Sequence, residues 1–454
     1  MRVHGSSCEK RISHKGSQRI IMSEKAAKEA AVYGHSGTSV LEVAVLVAVM
    51  PLLLHASNSA SFLEDVLGVA IPLLLAHTIG ADHLPLGVWT IPLCCLLLNP
   101  RVYLTRLRHK SPVSGGGTLS GYKENYVLTV LRGTTVLSTV LAILAVDFPS
   151  VFPRRYVKTE WFGTSLMDIG VGAYVFTGAI VRGNKGSKSM LTSVKAAFPV
   201  IVLGLTRAIV NKSVDYQEHV SEYGCHWNFF ITLAFVRLFG DVLCLISGDS
   251  RIAKLVLGSF LLLLHQVLLS STVIGVWAMQ DMDSMARKNE SIAWQNKEGL
   301  ISLMGYVALD LCTRGASEWI LSLDGLGLLA VDVCLWASLW VTNNYIQKVS
   351  RRSANAPYVL WVCSIGVMIM FLSSWLLSPE EKRSELMRIL SRHQLAIFLL
   401  SNILTGLVNL TFDTLDAPVV PALWILSGYA ATVCTAGYLL EHPPSFLHRK
   451  EKSA

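Results

Sequence analysis

Residues Leu144 to Phe176 read LAVDFPSVFPRRYVKTEWFGTSLMDIGVGAYVF. An apolar run stops at Asp147, and Pro149 and Pro153 prevent that helix from continuing. A short polar stretch then gathers Arg154, Arg155, Lys158 and Glu160, and a second apolar run begins, carrying Asp168. This unit, two lipid-like runs joined by a charged turn, sets the reading of the whole chain.

Working outward, apolar runs recur near 41-58, 64-82, 85-99, 125-146, 165-181, 196-210, 227-247, 254-277, 299-313, 325-346, 357-377, 394-410 and 417-439. Most approach the roughly 17 to 25 residues that a bilayer-spanning helix needs. The 454-residue chain is 52% hydrophobic and 15% charged, too little polar surface for a soluble globule, where about 25% charged is usual. The expected fold is therefore all-α: a polytopic membrane protein of about thirteen helices in one bundle. The shorter runs 85-99 and 299-313 are also compatible with re-entrant segments. A tail covers 1-35, the membrane domain 36-440 and a C-terminal tail 441-454.

The first 35 residues lack the continuous apolar core of a cleavable signal, so the first span is expected to act as the insertion signal. The nine cysteines form no CxxC pair and no metal-ligand spacing with His, so no metal site is expected. The +8 net charge is spread over connecting loops with no nucleic-acid motif, and reads as membrane orientation. Sorting the loops alternately gives roughly 19 Lys and Arg on the side of the C-terminal tail against roughly 10 on the other. That places the C-terminus in the cytoplasm. About seven basic residues in the N-terminal tail oppose this rule, and a start at Met22 would remove most of the conflict. Sequons at Asn211, Asn289 and Asn409 all fall on the non-cytoplasmic side, with Asn289 in the longest loop.

Ionisable residues at membrane depth mark function when a partner can be named. Arg237 and Asp241 read as an i,i+4 pair on one helix, and Asp310, Asp332 and Asp416 as carboxylates at span ends. Asp147 differs because the stopped helix brings it together with Arg154, Arg155, Lys158 and Glu160. A partly desolvated carboxylate can act as a general base, and a nearby cation can stabilise an oxyanion or hold a phosphate. An interfacial loop whose cations reach lipid headgroups fits the same residues. Three further polar segments enter spans from that side: YQEHVSEYGCHWN (Tyr216 to Asn228), QNKEGLISLMGY (Gln295 to Tyr306) and LTGLVNLTFDTL (Leu404 to Leu415). Polar segments gathered at one face of a greasy bundle suit a lipid-modifying enzyme better than a channel. A lipid or acyl-donor transporter and a non-catalytic subunit of a glycolipid-synthesis complex are the competing readings.

The block from Ile143 to Phe176 resembles the most distinctive segment of the GPI-anchor inositol acyltransferases, known as wall transfer proteins in fungi and class W phosphatidylinositol-glycan proteins in animals. EYGCHWNFF, NKEGLISLMGY and LTGLVNLTFDTL resemble further blocks in the same order, and SEKAAKEA followed by GTSVLEV resembles the family's entry. The likeness runs from about 22 to 440; residues 1-21 have no counterpart, and SGGG (Ser114 to Gly117) and DTLDAP (Asp413 to Pro418) are the least typical parts.

The resemblance implies a multi-pass enzyme of the endoplasmic reticulum membrane. Such an enzyme moves an acyl group, typically from palmitoyl-CoA, to the inositol 2-hydroxyl of glucosaminyl-phosphatidylinositol. Acyl-CoA is then a co-substrate, with no permanently bound cofactor, and the partners are the two substrates and membrane lipids. Asp147 and Lys158 match the family's catalytic aspartate and lysine. Arg154 and Arg155 are expected at a substrate phosphate, and Glu222, His226, Asn228, Lys297 and Asn409 around the acceptor.

Overall fold

Apolar runs of bilayer length become helices because a helix satisfies its backbone N–H and C=O groups internally. The computed structural model describes residues 11–15, 18–22, 28, 30–57, 61–82, 118–183, 189–213, 220–271, 273–280, 287, 289–376 and 384–443. Its longer helices are α1 Val40–Ser57, α2 Thr118–Ala145, α3 Ile169–Gly183, α4 Met190–Ser213, α5 Phe229–Ser247, α6 Arg251–Ser271, α7 Lys297–Ser322, α8 Gly325–Tyr345, α9 Ala356–Leu376, α10 Glu385–Arg392, α11 Gln394–Thr411 and α12 Val419–Glu441.

Among the described residues, nine of these (α1, α2, α4, α5, α6, α8, α9, α11 and α12) are long and apolar enough to cross a membrane. Helices also occupy the expected runs at α3, at α7, and at Phe62–Asp65 continued through a π turn Val66–Ala70 into Ile71–His77. The run 85–99 lies outside the described residues. The architecture is the all-α polytopic one expected, with one strand pair among the described residues, Arg11–Lys15 antiparallel to Gln18–Met22 in the N-terminal tail.

The run 299–313 lies within α7, whose 26 residues form a continuous helix of about 39 Å at 1.5 Å per residue, in keeping with its reading as a span rather than with the re-entrant alternative. One element differs from expectation. Between α9 and α11, where a connecting loop is expected, α10 buries Leu386, Met387, Ile389 and Leu390. Ser384 Oγ and the Leu386 N–H both donate to Asp65 Oδ2, at 2.9 and 3.1 Å, fastening that helix to the segment after α1.

α7 packs against α3, α5 and α6. Glycines let the backbones approach: a Cβ on Gly240 of α5 would overlap Asp310, and one on Gly258 of α6 would press on Leu311 and Cys312. At this crossing the carboxylates of α7 find partners on neighbouring helices. Asp310 accepts from Arg182 at 2.5 Å and pairs with Arg314 at 2.8 Å, and Arg314 reaches Asp241 at 2.6 Å. Asp310 is therefore not a span-end residue in headgroup water: its side chain is fully buried near the middle of α7. Asp332 likewise lies within α8 and is buried. Arg314, rather than Arg237 one turn away on the same helix, is the residue ion-paired with Asp241, because α7 presents a guanidinium directly across the gap left by Gly240.

Candidate active site

One end of the bundle collects the loop after α2, the segments before α5 and α7, the α8–α9 loop, the end of α11 and the chain before α1. α2 closes with tight bonds, Asp147 N–H to Leu144 O and Phe148 N–H to Ala145 O. Phe148 and Phe152 are then buried completely, which folds the chain back against the bundle. A single 3-10 turn, Arg154–Tyr156, follows. Extended chain from Val157 leads to Lys158.

Asp147 is 8% exposed, and its Oδ2 accepts from Asn409 Nδ2 at 2.7 Å. Asn409 is itself fixed: its Oδ1 accepts from Thr414 Oγ1 at 3.2 Å and its carbonyl from Lys28 Nζ at 3.3 Å. Arg154 stands behind the carboxylate, spending its guanidinium on the carbonyls of Val146, Phe152 and Ala31 at 2.9, 3.1 and 3.4 Å. Burial lowers its pKa to about 10, opposed by the charge of Asp147, so it stays charged at neutral pH.

Lys158 pairs with Glu222 at 2.8 Å. Arg155 is bracketed by Glu42 at 2.8 Å and Asp82 at 2.6 Å. Burial pushes the Arg155 guanidinium down, and the two carboxylates more than offset this, leaving it above its ordinary value. The site thus has two charged corners, Asp147 with Asn409 and Lys158 with Glu222, on either side of one 3-10 turn.

The other expected residues have local tasks. Asn228 caps α5, its Oδ1 accepting from the Phe230 and Ile231 N–H groups at 3.1 and 3.2 Å, and its Nδ2 donates to Gly204 O. Lys297 is wholly buried, donating to the carbonyls of Trp277 and Gln280 with Trp294 below its ammonium. His226 is exposed and hydrogen-bonds Gln295 at 2.9 Å, while its N–H donates to Asn296.

The chain before α1 straps this end. Thr38 bridges to Thr164 in a two-residue β contact, and the Glu160 N–H donates to His35 O. Gly37 and Gly163, with φ of 78° and 126°, sit at this contact; a Cβ on either would overlap the opposing backbone.

A family model described as GWT1 matches residues 24–440. The chain is 32% identical to GPI-anchored wall transfer protein 1 of Aspergillus fumigatus, over 92% of this chain and 97% of that one. It is 31% identical to the mouse glucosaminyl-phosphatidylinositol-acyltransferase PIGW and 30% to the human one, each over 92% of this chain and 98% of the relative. The chain belongs to the GWT1 family.

In this GWT1-family protein the site end also contains residues that sequence reading passed over. The loop VSRRSAN, Val349 to Asn355, is buried throughout. Arg352 reaches Glu298 at 2.9 Å and Glu160 at 3.6 Å with its guanidinium 3.9 Å above the Trp161 ring, and Arg287 joins the same Glu298. The available signal was a pair of arginines in a short loop on the same side as Asp147 by the alternation of spans.

Proposed function

We propose that this protein is an acyltransferase of GPI-anchor biosynthesis, moving a fatty acyl group from acyl-CoA to the inositol 2-hydroxyl of glucosaminyl-phosphatidylinositol. The observation that carries the reading is the buried Asp147 carboxylate, held by Asn409 at 2.7 Å at the polar end of a lipid-sized bundle. Its full-length relatives in mouse and human bear the name of that acyltransferase.

The chemistry follows from the two corners. The inositol hydroxyl oxygen attacks the thioester carbonyl carbon while its proton passes to Asp147. A carboxylate is a weak base in water, and removal from water favours its taking up a proton. Lys158 faces the oxyanion that develops, with Glu222 holding the ammonium in place until then. Collapse breaks the carbon–sulfur bond, and the proton on Asp147 leaves with the CoA sulfur, which restores the carboxylate. Because the thioester is already activated, no acyl-enzyme is required.

We assign the contact with lipid phosphate to Arg155, whose side chain is 34% exposed, rather than to Arg154, whose donors are taken by carbonyls. The excess of basic residues on the opposite side supports a cytoplasmic C-terminus, with the site end at the lumen of the endoplasmic reticulum. Arg314 belongs to α7 rather than to a loop, and removing it from the count leaves the excess in place.

Palmitoyl-CoA and glucosaminyl-phosphatidylinositol supplied to detergent-purified protein test the function. Mass-spectrometric appearance of an inositol-acylated lipid with stoichiometric free CoA is expected. Well-folded protein that binds both substrates and forms no product would favour a transporter instead.

A further inference from the structure

Under the turn that carries Lys158 lies a buried ion pair that the proposed chemistry does not use. Asp168, with no exposed surface, accepts from the Thr159 N–H at 3.2 Å, Thr159 Oγ1 at 2.9 Å and Ser165 Oγ at 2.8 Å. Its other oxygen pairs with Arg351 Nε at 2.8 Å. Thr159 directly follows Lys158, so the carboxylate grips the backbone one residue from the ammonium-bearing side chain.

Arg351 comes from the α8–α9 loop and is held as firmly. Ser350 Oγ donates to Trp161 O at 2.7 Å, the Gly163 N–H donates to Val349 O at 2.8 Å, and Asn355 Oδ1 accepts from the Ser350 N–H at 3.0 Å. Ala354 takes a φ of 48°, a conformation that costs a non-glycine residue energy and persists where surrounding contacts dictate it. Arg351 also lies close enough to Glu222 for their charges to attract. One guanidinium therefore acts on both supports of Lys158: on its backbone through Asp168 and Thr159, and on its counter-ion Glu222.

We infer that Arg351, clamped to Asp168, is a positioning residue that fixes Lys158 for the acyl-transfer step, an inference that rests on the role assigned to Lys158 above. A buried Asp–Arg pair is seldom more stabilising than an apolar pair of the same size, whereas removing one partner leaves an uncompensated charge. The double variant Asp168→Asn/Arg351→Met separates the two roles, because it removes both charges together.

The test measures thermal midpoint, kcat and KM for glucosaminyl-phosphatidylinositol in purified wild type, Arg351→Met, the double variant and Arg351→Lys. Arg351→Met is expected to lower the midpoint sharply, and the double variant to recover most of it. Positioning predicts that the double variant still loses at least tenfold in kcat, with KM within twofold. Full activity in the double variant would reduce the pair to a structural one and overturn the inference.

Should the double variant fail to fold, Arg351→Lys decides, since lysine keeps the charge but cannot reproduce the guanidinium fork. A lowered kcat, together with faster reductive methylation of Lys158 followed by mass spectrometry, supports positioning. Wild-type values of both overturn it. Failure of the underlying reading is seen separately: Lys158→Ala with undiminished acyl transfer removes the role of Lys158 itself.

Discussion

Asn409 donates to Asp147 at 2.7 Å and Asn228 caps α5 through two backbone N–H groups, so two asparagines named for the same pocket have opposite expected phenotypes. A hydrogen bond to a charged group contributes about 1.5–3 kcal/mol. Asn409→Ala is therefore expected to cut kcat per folded molecule roughly tenfold to hundredfold. Asn228→Ala is expected to cost about 1 kcal/mol of stability with kcat per folded molecule within twofold. Steady-state acyl transfer and thermal midpoints on both variants check this. At this scale the sequence displayed Asp147 and its loop well, because prolines and a charge run interrupt a lipid-like segment; it offered Asn409 only as a residue around the acceptor, with nothing to show that it donates to Asp147 from 262 positions away. It did not display that Lys158 pairs with Glu222, or that Arg351 reaches Asp168, because these contacts join residues 64 and 183 positions apart.

Helix α7 carries Lys297, Glu298, Asp310, Arg314 and Glu318 and is nevertheless the helix buried among α3, α5 and α6. Its weak apolar signal left run 299–313 open between a span and a re-entrant segment. Hydropathy counts each charge against lipid, whereas here charges neutralise one another across helix interfaces that sequence position does not reveal. Arg314→Met would leave Asp241 and Asp310 facing each other with one arginine, Arg182, bound to Asp310. The cost of breaking such a buried pair is about 3–5 kcal/mol. A fall in thermal midpoint of about 3–5 °C in detergent is expected, with lost activity tracking lost fold. Gly240→Val, whose Cβ would overlap Asp310, is expected to cost about 1–3 kcal/mol by overpacking the same crossing. A stable Arg314→Met protein would show that the network contributes little to holding the helices together.

For the whole molecule, alternation of apolar runs and basic loops made the polytopic fold legible, and the same alternation supplies the proposed orientation. Three sequons were available to test it, and the structure leaves one that is clearly usable. Asn409 is buried against Asp147 and Asn211 lies within α4, while Asn289 is exposed at the site end. In microsomes, an endoglycosidase-sensitive shift that disappears in Asn289→Gln is expected. Modification of an added acceptor in the C-terminal tail, with Asn289 unmodified, would reverse the orientation. The most direct test of the account is acyl transfer from palmitoyl-CoA to glucosaminyl-phosphatidylinositol by Asp147→Asn at a matched amount of folded protein. Asparagine keeps the shape of the side chain and removes its capacity as a base, so the account predicts a loss of roughly a hundredfold to ten-thousandfold in kcat with the thermal midpoint preserved. Undiminished turnover in that variant would contradict it and move the chemistry away from this corner of the bundle.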